Sequence, residues 1–519
     1  MVRNLPSGHP RGALPDPGVP AAGEGPASIT VNFTGTRACR APLTWGQNGI
    51  WLKFQRDPDC DLNGSYVLTV QDEGISVAAA ADAISGIVAR HEALRTRLQC
   101  SEDRVWQVVD KSGVLRVAIT EAREANLMTS VVTVARRQRE AKFDLCEEFH
   151  MRTGFVTTGG DVRFIILTFS HIAADGAAAQ IIMNELQLAL SGREMPGETV
   201  MQPSDLAWMQ ERTPECQVQT ERSARYWSAQ YRRIPPTMFP LVGPAENPRR
   251  QQAVLMSPAL EMAAEKIAGD ARVTTSAVLL AATCTMAGVW TGHQVSAMNA
   301  LALNRVQPGH GGLVTNLIQL GLVVLDLRHE LSFREIARQA WMSALDAYRY
   351  AYYDQSVINR VIKEASHVRG EDVNPFCCFN DLRGLGRPSH NSRAANGPAK
   401  AHSEQAAREL LARTSLTWES GNVAWSRCRF CMQVVDHGAG SALVLIADTC
   451  YLPRASIEGF LLGVEELLVR AAFHDVRIAD IQPPSLPAKG RCHYEATHPD
   501  VAVSPPLVPM PLTSCPTSA

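Results

Sequence analysis

The stretch VRFIILTFSHIAADG, residues 162–176, decides the fold of this chain. Its first part, 162–169, is a nearly continuous apolar run, which is typical of a strand buried on both faces. The residues after it place Ile182 and Leu186 at helical spacing within 174–190, which predicts a helix with one buried face. A buried strand that passes through a polar turn into a helix indicates an α/β arrangement.

The same alternation continues on both sides of this stretch. The spacing of apolar residues predicts helices and strands in turn, with helices at 76–96, 128–142, 259–270, 274–290 and 333–348 and strands at 105–109, 295–303 and 317–327. Strands and helices therefore interleave in both halves of the chain. The fold class is predicted to be α/β, in the broad sense that includes α+β.

Chain length and the positions of Pro- and Gly-rich segments predict two folded units. A chain of 519 residues exceeds what one hydrophobic core usually holds. The Pro-bearing segment PLVGPAENPRR, 240–250, is the predicted linker, so the expected lobes are 41–239 and 240–482. Pro and Gly dominate both ends, which predicts a disordered leader at 1–40 and a disordered tail at 483–519.

Further segments are interpreted as surface features. Residues 389–405, SHNSRAANGPAKAHSEQ, predict a long surface loop. The tyrosine cluster at 348–353 predicts a helix end on the surface of its lobe, because no basic groove accompanies it.

Composition excludes several classes of partner. The formal net charge is −2 and charged residues make up 20% of the chain, so charge gives no reason to expect nucleic acid or an anionic membrane as partner. The longest apolar stretch, 276–290, is shorter than the roughly 18 residues of a spanning helix. The first forty residues lack the apolar core of a secretion signal. We therefore expect a soluble, cytoplasmic protein.

The cysteines predict neither a disulfide framework nor a metal site. Their number, thirteen, is odd, and they are scattered through predicted strands and helices, so reduced thiols are expected. Cys428 and Cys431 form a CxxC pair and Cys377 adjoins Cys378, but no second pair with zinc-like spacing accompanies either.

The turn SHIAADG, 170–176, carries the candidate chemistry. His171 has an ordinary pKa near neutrality, so it can take a proton from a nucleophile. Gly176, at the start of the helix, can present a backbone N–H to a developing oxyanion. Alternatively, His171 is a core histidine and Asp175 is only the helix cap. These residues alone do not decide between the two interpretations.

A second charged run bears on that choice. RHEALRTRL, residues 90–98, places strongly charged side chains in an apolar context that buries some of them. Buried charges need partners, and Asp175 is the expected partner for an arginine of this run.

RHEALRTRL and SHIAADG, in this order and about eighty residues apart, resemble the arginine and histidine motifs of non-ribosomal peptide synthetase condensation domains. Further segments resemble that family in the same order and cover essentially the whole folded region: LTWGQNGIW (43–51), FDLCEEFHMR (143–152), PSDLAWMQ (203–210), TTSAVLLAATCTMAG (274–288), Asn304-Arg305, GLVTN (312–316) and NPFCCFND (374–381).

The resemblance implies a particular architecture. Two lobes similar to chloramphenicol acetyltransferase are expected to form a V-shaped pseudo-dimer with a central tunnel. Carrier proteins would dock at opposite mouths and deliver substrates on phosphopantetheine arms, so that the enzyme needs neither a metal nor a bound cofactor.

The resemblance also assigns roles to individual positions. His171 and Gly176 would be catalytic, while Asp175 would pair with Arg90 to hold the active-site loop. Ser170 stands where the family has its first histidine, taken as a supporting residue; a serine here also resembles the ring-closing terminal domains of fungal synthetases. Asn316 falls on an asparagine of the second lobe, taken as site-lining, with a structural role left open.

The function implied is that of a stand-alone condensation enzyme, an acyltransferase that moves a carrier-bound acyl or aminoacyl group to an amine or hydroxyl. Two alternatives remain open. The enzyme could use a free small-molecule acceptor or a coenzyme A donor, or the chain could be a non-catalytic condensation-like module that recruits another enzyme. Such modules usually lose part of the set His171, Asp175 and Gly176, which is complete here.

Overall fold

The computed structural model describes residues 27–57, 62–71, 74–101, 104–195, 197, 201–384, 403–419, 428–437 and 440–483. Its strands are β1 Ser28–Thr34, β2 Cys39–Pro42, β3 Asn63–Thr69, β4 Thr96–Cys100, β5 Val105–Val109, β6 Ser112–Glu121, β7 Met151–Thr158, β8 Asp161–Ser170, β9 Arg250–Met256, β10 Val295–Ala302, β11 Gln319–Asp326, β12 Cys377–Asp381, β13 Ser415–Glu419, β14 Phe430–His437 and β15 Gly440–Asp448.

The helices are α1 Trp45–Arg56, α2 Val77–Arg90, α3 Leu127–Glu140, α4 Gly176–Leu190, α5 Pro203–Arg212, α6 Pro214–Tyr231, α7 Pro258–Ala271, α8 Thr275–Thr291, α9 Phe333–Arg349, α10 Gln355–Arg369, α11 Glu404–Leu411 and α12 Arg454–Phe473. Short 3-10 turns lie at Glu92–Arg95, Glu124–Asn126 and Ile478–Asp480.

The first lobe is built on a mixed five-stranded sheet in the order β1-β6-β7-β8-β3. Strands β6 and β7 run parallel, and the other neighbours are antiparallel. One face packs on α2 and α4 through a core that includes Ile84, Ile87, Ile182 and Leu186. Helix α3 covers the other face. With a helix on each face, β8 carries the continuous apolar run that its burial requires.

The second lobe is built on a seven-stranded sheet in the order β11-β10-β12-β14-β15-β9-β13. Its main core includes residues of α7, α8, α9 and α12. Helix α8 is buried along nearly its whole length, which explains its almost unbroken apolar sequence. In the described ranges no single helix meets the length and hydropathy of a membrane span; α7 and α8 do so only as a pair, bent by 106°.

Both predicted lobe boundaries need correction. The leader was predicted to extend to residue 40, but β1 and β2 are ordered, and β1 pairs with β6 at the edge of the first sheet. The lobes divide near α6 rather than at 240, since Trp227 and Tyr231 of that helix belong to the core of the second lobe. The Pro-rich segment before β9 is therefore a loop within the second lobe.

The predicted helices and strands around the motifs are confirmed within a few residues. Helix α4 starts one residue after its cap, Asp175, and α8 starts after Thr274, whose side chain accepts from the N–H of Ala277. The tail 484–519 and most of the predicted loop at 389–405 lie outside the described residues, while α11 begins at Glu404. Helix α9 ends within the tyrosine cluster, where Tyr348 is exposed as predicted, but Tyr352 and Tyr353 beyond the helix end are buried.

Candidate active site

A tight turn carries His171 out of the central sheet. Strand β8 pairs with β3 as far as Ser170, and the carbonyl of Ser170 then accepts the N–H groups of Ala173 at 2.9 Å and Ala174 at 3.4 Å. The N–H of His171 donates to the carbonyl of Leu62 at 2.9 Å. Ser170 itself is buried, with 1% of its surface exposed.

The ring of His171 is oriented by its own loop. Its Nδ1 lies 3.1 Å from the carbonyl oxygen of Ala174. A carbonyl can only accept, so Nδ1 carries the proton and Nε2 keeps a lone pair. Burial lowers the pKa of His171 below 6.5, and the carboxylate of Asp175 offsets part of that effect. The imidazole is therefore neutral near pH 7, with a basic nitrogen available.

Asp175 is fully buried and joins the two lobes. Its Oδ1 accepts the N–H of Ala178 at 2.8 Å, which caps α4. The same oxygen accepts from Nη2 of Arg305 at 2.6 Å, and Oδ2 accepts the N–H of Leu317 at 3.0 Å. Both residues lie between β10 and β11 of the second lobe. With both oxygens occupied, Asp175 holds the loop and is not placed to act as a base.

The predicted pair of Arg90 with Asp175 is wrong. Nε of Arg90 lies 3.3 Å from Oε1 of Glu185, and Nη2 donates to the carbonyl of Gly197 at 2.7 Å. Glu185 lies ten residues beyond Asp175, about 15 Å along the helix axis at 1.5 Å per residue. Arg90, at the end of α2, therefore reaches the middle of α4 and not its start.

Glu185 is the centre of this buried polar contact between α2 and α4. Nε2 of His91 lies 2.6 Å from Oε2 of Glu185. Burial alone would raise the pKa of Glu185, but the hydrogen bond with His91 and the charge of Arg90 outweigh it, and the pKa is lowered. The expectation that this charged run is buried and partnered was correct, although the partner was not.

For Asn316 the sequence left a site-lining and a structural role open, and its contacts favour the structural one. It is fully buried, and its Nδ2 donates to the carbonyl of Gly46 at 2.8 Å, which ties α1 to the second lobe. A Cβ at Gly46 would lie 2.3 Å from the carbonyl oxygen of Asn316. The close approach of two backbones requires the glycine in the segment 43–51, and Asn316 has a structural role.

Gly176 lies beside open space. It is the first residue of α4, and a Cβ built on it would meet only one group within 4 Å, the hydroxyl of Tyr66 at 3.9 Å. The packing of the protein therefore does not require a glycine here. Gly176 belongs to the first turn of α4, whose N–H groups have no partner within the helix; that of Ala178 donates to Asp175.

Tyr66 is a site residue that the sequence did not reveal. It lies on β3, and its ring packs on Phe169 with 6.0 Å between ring centres. A Cβ at Gly64 would lie 3.2 Å from the hydroxyl of Tyr66. A larger residue at position 64 would therefore crowd the tyrosine ring, and the glycine leaves room for it. Burial, and secondarily the charge of Asp175, raise the pKa of Tyr66, which keeps the hydroxyl protonated as a donor.

Arg305 was also missed, although Asn304-Arg305 was noted as a motif. Beyond its ion pair with Asp175, its Nη1 donates to the carbonyl of Leu313 at 2.8 Å. The motif was the available signal, but the partner lies 130 residues away and no spacing rule identifies it. Among the described residues, no group of three or more His, Cys, Asp or Glu side chains could hold a metal ion.

Comparison with known proteins assigns the family. The family model for the condensation domain matches residues 38–390. Phosphinothricin tripeptide synthetase PhsB of Streptomyces viridochromogenes is 23% identical over 374 residues, which cover 69% of this chain and 30% of PhsB. The chain thus spans less than a third of that relative.

Solved structures share the fold. The condensation domain of the monacolin K polyketide synthase MokA matches with a TM-score of 0.65 and 13% identity over 85% of this chain and 99% of that domain. The X-domain in complex with OxyB from teicoplanin biosynthesis matches with a TM-score of 0.64 and 16% identity. The match covers 86% of this chain and 96% of the X-domain chain. The predicted resemblance to chloramphenicol acetyltransferase-like lobes is confirmed at the level of fold. Because the family match covers more than half of its length, the chain belongs to the condensation-domain family.

Proposed function

We propose that this protein transfers an acyl or aminoacyl group from the phosphopantetheine thioester of a carrier protein to an amine or hydroxyl. The observation that carries the proposal is the orientation of His171, whose Nδ1 is engaged by the carbonyl of Ala174. Nε2 is thereby left as a base, and the N-terminus of α4 at Gly176 lies a few residues further along the chain.

The chemistry follows from these two groups. Nε2 of His171 takes the proton of the attacking N–H or O–H as the nucleophile adds to the thioester carbonyl. The carbonyl oxygen becomes an oxyanion, which the N–H groups at the start of α4 stabilise. Collapse of the adduct re-forms the carbonyl and breaks the C–S bond. The imidazolium then returns its proton to the departing thiolate, so His171 ends neutral.

The remaining groups position this pair. Asp175 and Arg305 fix the start of α4 against the second lobe, and Tyr66 supplies a protonated hydroxyl beside Gly176. A long arm is the appropriate carrier, since the reacting carbonyl must reach a histidine between the lobes. We propose that the arms enter by the cleft between them, as the two-mouth tunnel of the sequence prediction requires. No group of the protein in this scheme calls for a metal or a bound cofactor.

A second candidate is a recruitment role without catalysis. The observation in its favour is the similarity in fold to the X-domain of teicoplanin biosynthesis, which was solved in complex with OxyB. The intact arrangement of His171, Asp175 and Gly176 supports the catalytic proposal instead. Transfer to a free acceptor, or from a coenzyme A donor, would use the same catalytic groups of the protein. These alternatives differ from the proposal only in the molecule that carries each substrate.

Intact-mass analysis of loaded carrier proteins tests the proposal. Carriers bearing acyl groups are incubated with candidate acceptors and either the wild type or His171→Ala, and the mass of each carrier is followed. Loss of the acyl mass from the donor together with its gain on the acceptor, in the wild type only, is the expected result. Equal transfer by both proteins would overturn the role of His171. Transfer from coenzyme A but not from any carrier would exclude the carrier-bound donor.

A further inference from the structure

Three thiols converge at one edge of two neighbouring strands in the second lobe. Cys378 lies on β12, Cys431 lies opposite it on β14, and Cys428 lies two residues before β14 begins. The Sγ atoms of Cys378 and Cys428 are 2.7 Å apart. Cys377 points to the other side of the sheet, where its thiol donates to the carbonyl of Pro375. The fold thus brings Cys378 of the adjacent pair together with the CxxC pair Cys428 and Cys431, and the proposed acyl transfer uses none of these thiols.

The surroundings favour a reactive thiolate at the centre of this group. Cys378 and Cys428 are partly exposed, whereas Cys431 is 1% exposed. Hydrogen bonds from Cys428 and then Cys431 stabilise a thiolate at Cys378 and hold its pKa well below the usual value. The charge of Lys53, on α1 of the first lobe, also lowers the pKa of Cys378 and that of His171. One cation therefore acts on both the thiol cluster and the candidate base.

We propose that Cys378 and Cys428 form a redox-active dithiol that undergoes exchange with small disulfides such as glutathione disulfide. The Cys378 thiolate attacks one sulfur of glutathione disulfide, forms a mixed disulfide and releases one glutathione thiolate. Cys428, after losing its proton to solvent, attacks the Cys378 sulfur and releases the second glutathione. The protein dithiol is thereby oxidised to a disulfide and the small disulfide is reduced to two thiols.

Cys428 is the better resolving partner than Cys431. Cys378 and Cys431 occupy directly paired positions in a parallel ladder, where both backbones are held by hydrogen bonds. Cys428 lies outside β14, so its backbone can adjust to the narrow geometry that a disulfide demands. Cys378 and Cys428 are also less deeply buried as residues than Cys431, which is 1% exposed.

The chain offers an internal control in another pair of thiols. Cys100 and Cys146 are exposed, with their Sγ atoms 4.0 Å apart. Burial of the sulfur, and secondarily the neighbouring Cys100, raise the pKa of Cys146 to about 11, so that thiol is poorly ionised at neutral pH. If exposure and proximity alone governed oxidation, this pair would react at least as fast as Cys378 with Cys428.

The test is disulfide mapping of the full chain after exposure to mixtures of reduced and oxidised glutathione at pH 7. Free thiols are alkylated and the peptides are identified by mass spectrometry. We expect a Cys378–Cys428 disulfide that forms at least tenfold faster than any Cys100–Cys146 disulfide and reverses on addition of reduced glutathione. Absence of the Cys378–Cys428 disulfide at full oxidation, or prior oxidation of Cys100 with Cys146, would overturn the proposal.

Variants identify the attacking sulfur. Cys428→Ala should accumulate a mixed glutathione disulfide at Cys378, because the resolving thiol is missing, and Cys431→Ala should still form the Cys378–Cys428 disulfide. A glutathione adduct at Cys431 instead of Cys378 in Cys428→Ala would contradict the assigned order. The wild-type mapping decides the proposal even where a variant fails to fold.

Discussion

Nη2 of Arg305 lies 2.6 Å from Oδ1 of Asp175, and this ion pair connects the second lobe to the first residues of α4. Asp175 is fully buried and the side chain of Arg305 is 12% exposed. The aspartate of the histidine motif thus has an arginine partner, as the sequence predicted, but the arginine comes from the other half of the chain. The active-site turn is held by a contact between lobes.

Removal of either partner should destabilise the protein strongly. Asp175→Ala leaves Arg305 without its counter-ion, and Arg305→Ala leaves a buried carboxylate, each at about 3 to 5 kcal/mol. A double-mutant cycle measured by chemical denaturation should show coupling of about 0.5 to 3 kcal/mol. Arg90→Ala is the matched control, since Arg90 contacts Glu185 instead. Coupling of Asp175 to Arg90 with none to Arg305 would contradict the structure.

His171→Ala should abolish most acyl transfer, by about a hundredfold or more, with little change in melting temperature. Ser170→Ala should have a smaller effect on the rate, because Ser170 supports the turn through its backbone.

The pH dependence of the wild-type rate gives a separate check of the base. The pKa of His171 is lowered below 6.5, and a base acts only when unprotonated. The rate should therefore be flat around pH 7 and fall only at a pH below the 6.5 at which an ordinary histidine titrates. A rate that still rises between pH 7 and 8 through a histidine-dependent ionisation would exclude this assignment.

Tyr66→Phe should lower the rate of transfer by about tenfold with little loss of stability, because the hydroxyl lies beside Gly176 and, on the proposed mechanism, would donate to the developing oxyanion. Tyr226→Phe is the comparison. Its hydroxyl donates to the carbonyl of Leu322 within the second lobe, so its loss should cost about 1 kcal/mol of stability and leave the rate unchanged. If the two variants behaved alike in turnover, Tyr66 would have no place in the reaction.

Gly176→Ala should separate stability from activity. A methyl group at this position fits the protein, with its nearest neighbour at 3.9 Å, and alanine favours a helix over glycine by up to about 1 kcal/mol. We expect an unchanged or slightly raised melting temperature together with a loss of transfer, since on the proposed mechanism the methyl group would occupy the space of the reacting carbonyl. Full activity in this variant would show that substrates do not approach the start of α4.

His150 should make the protein sensitive to acid. Burial lowers the pKa of His150 to about 4. The unfolded chain takes up this proton near pH 6.5, so the contribution of the neutral side chain is complete above that pH and is lost as the pH falls towards 4. The loss is about 3 kcal/mol at about 1.4 kcal/mol per pH unit.

Urea unfolding at a series of pH values measures this effect. His150→Gln can keep a donor to the carbonyl of Leu145, which Nε2 of His150 contacts at 3.0 Å, and should show a shallower loss of stability. An identical slope in wild type and variant would place the acid sensitivity elsewhere.

The sequence predicted those features that depend on local pattern. The strand β8, the cap at Asp175 and the helix after it follow from apolar spacing and from a polar residue that can bond to N–H groups two or three residues on. The motif order also predicted the family. What it could not supply were contacts between distant segments. Arg305 and Arg90 are both arginines in familial segments, and only the arrangement of the lobes decides which of them reaches Asp175.

Three further differences between the sequence prediction and the structure have the same origin. Tyr66 gives no signal in the sequence. Its position beside the site depends on Gly64, which leaves room for the ring along β3, and on Gly176, which begins α4 next to the tyrosine hydroxyl. Asn316 was assigned to the site by position in a motif, yet its amide reaches Gly46. Residues 1–40 were predicted to be disordered from their Pro and Gly content. Residues 1–26 lie outside the described part of the chain, but from Ser28 onwards the edge strand β1 gains its order from pairing with β6.

Asp175 has hydrogen-bond partners in both lobes, and this limits how the lobes can move relative to each other. One carboxylate serves as helix cap and as counter-ion to Arg305, so a separation of the lobes at this point would leave the carboxylate that caps α4 without its buried counter-ion. Large substrates therefore cannot be admitted by parting the lobes here. The contact of Asn316 with Gly46 joins the lobes a second time, so any relative movement of the lobes has to preserve both contacts, and the turn that carries His171 stays in place at the start of α4.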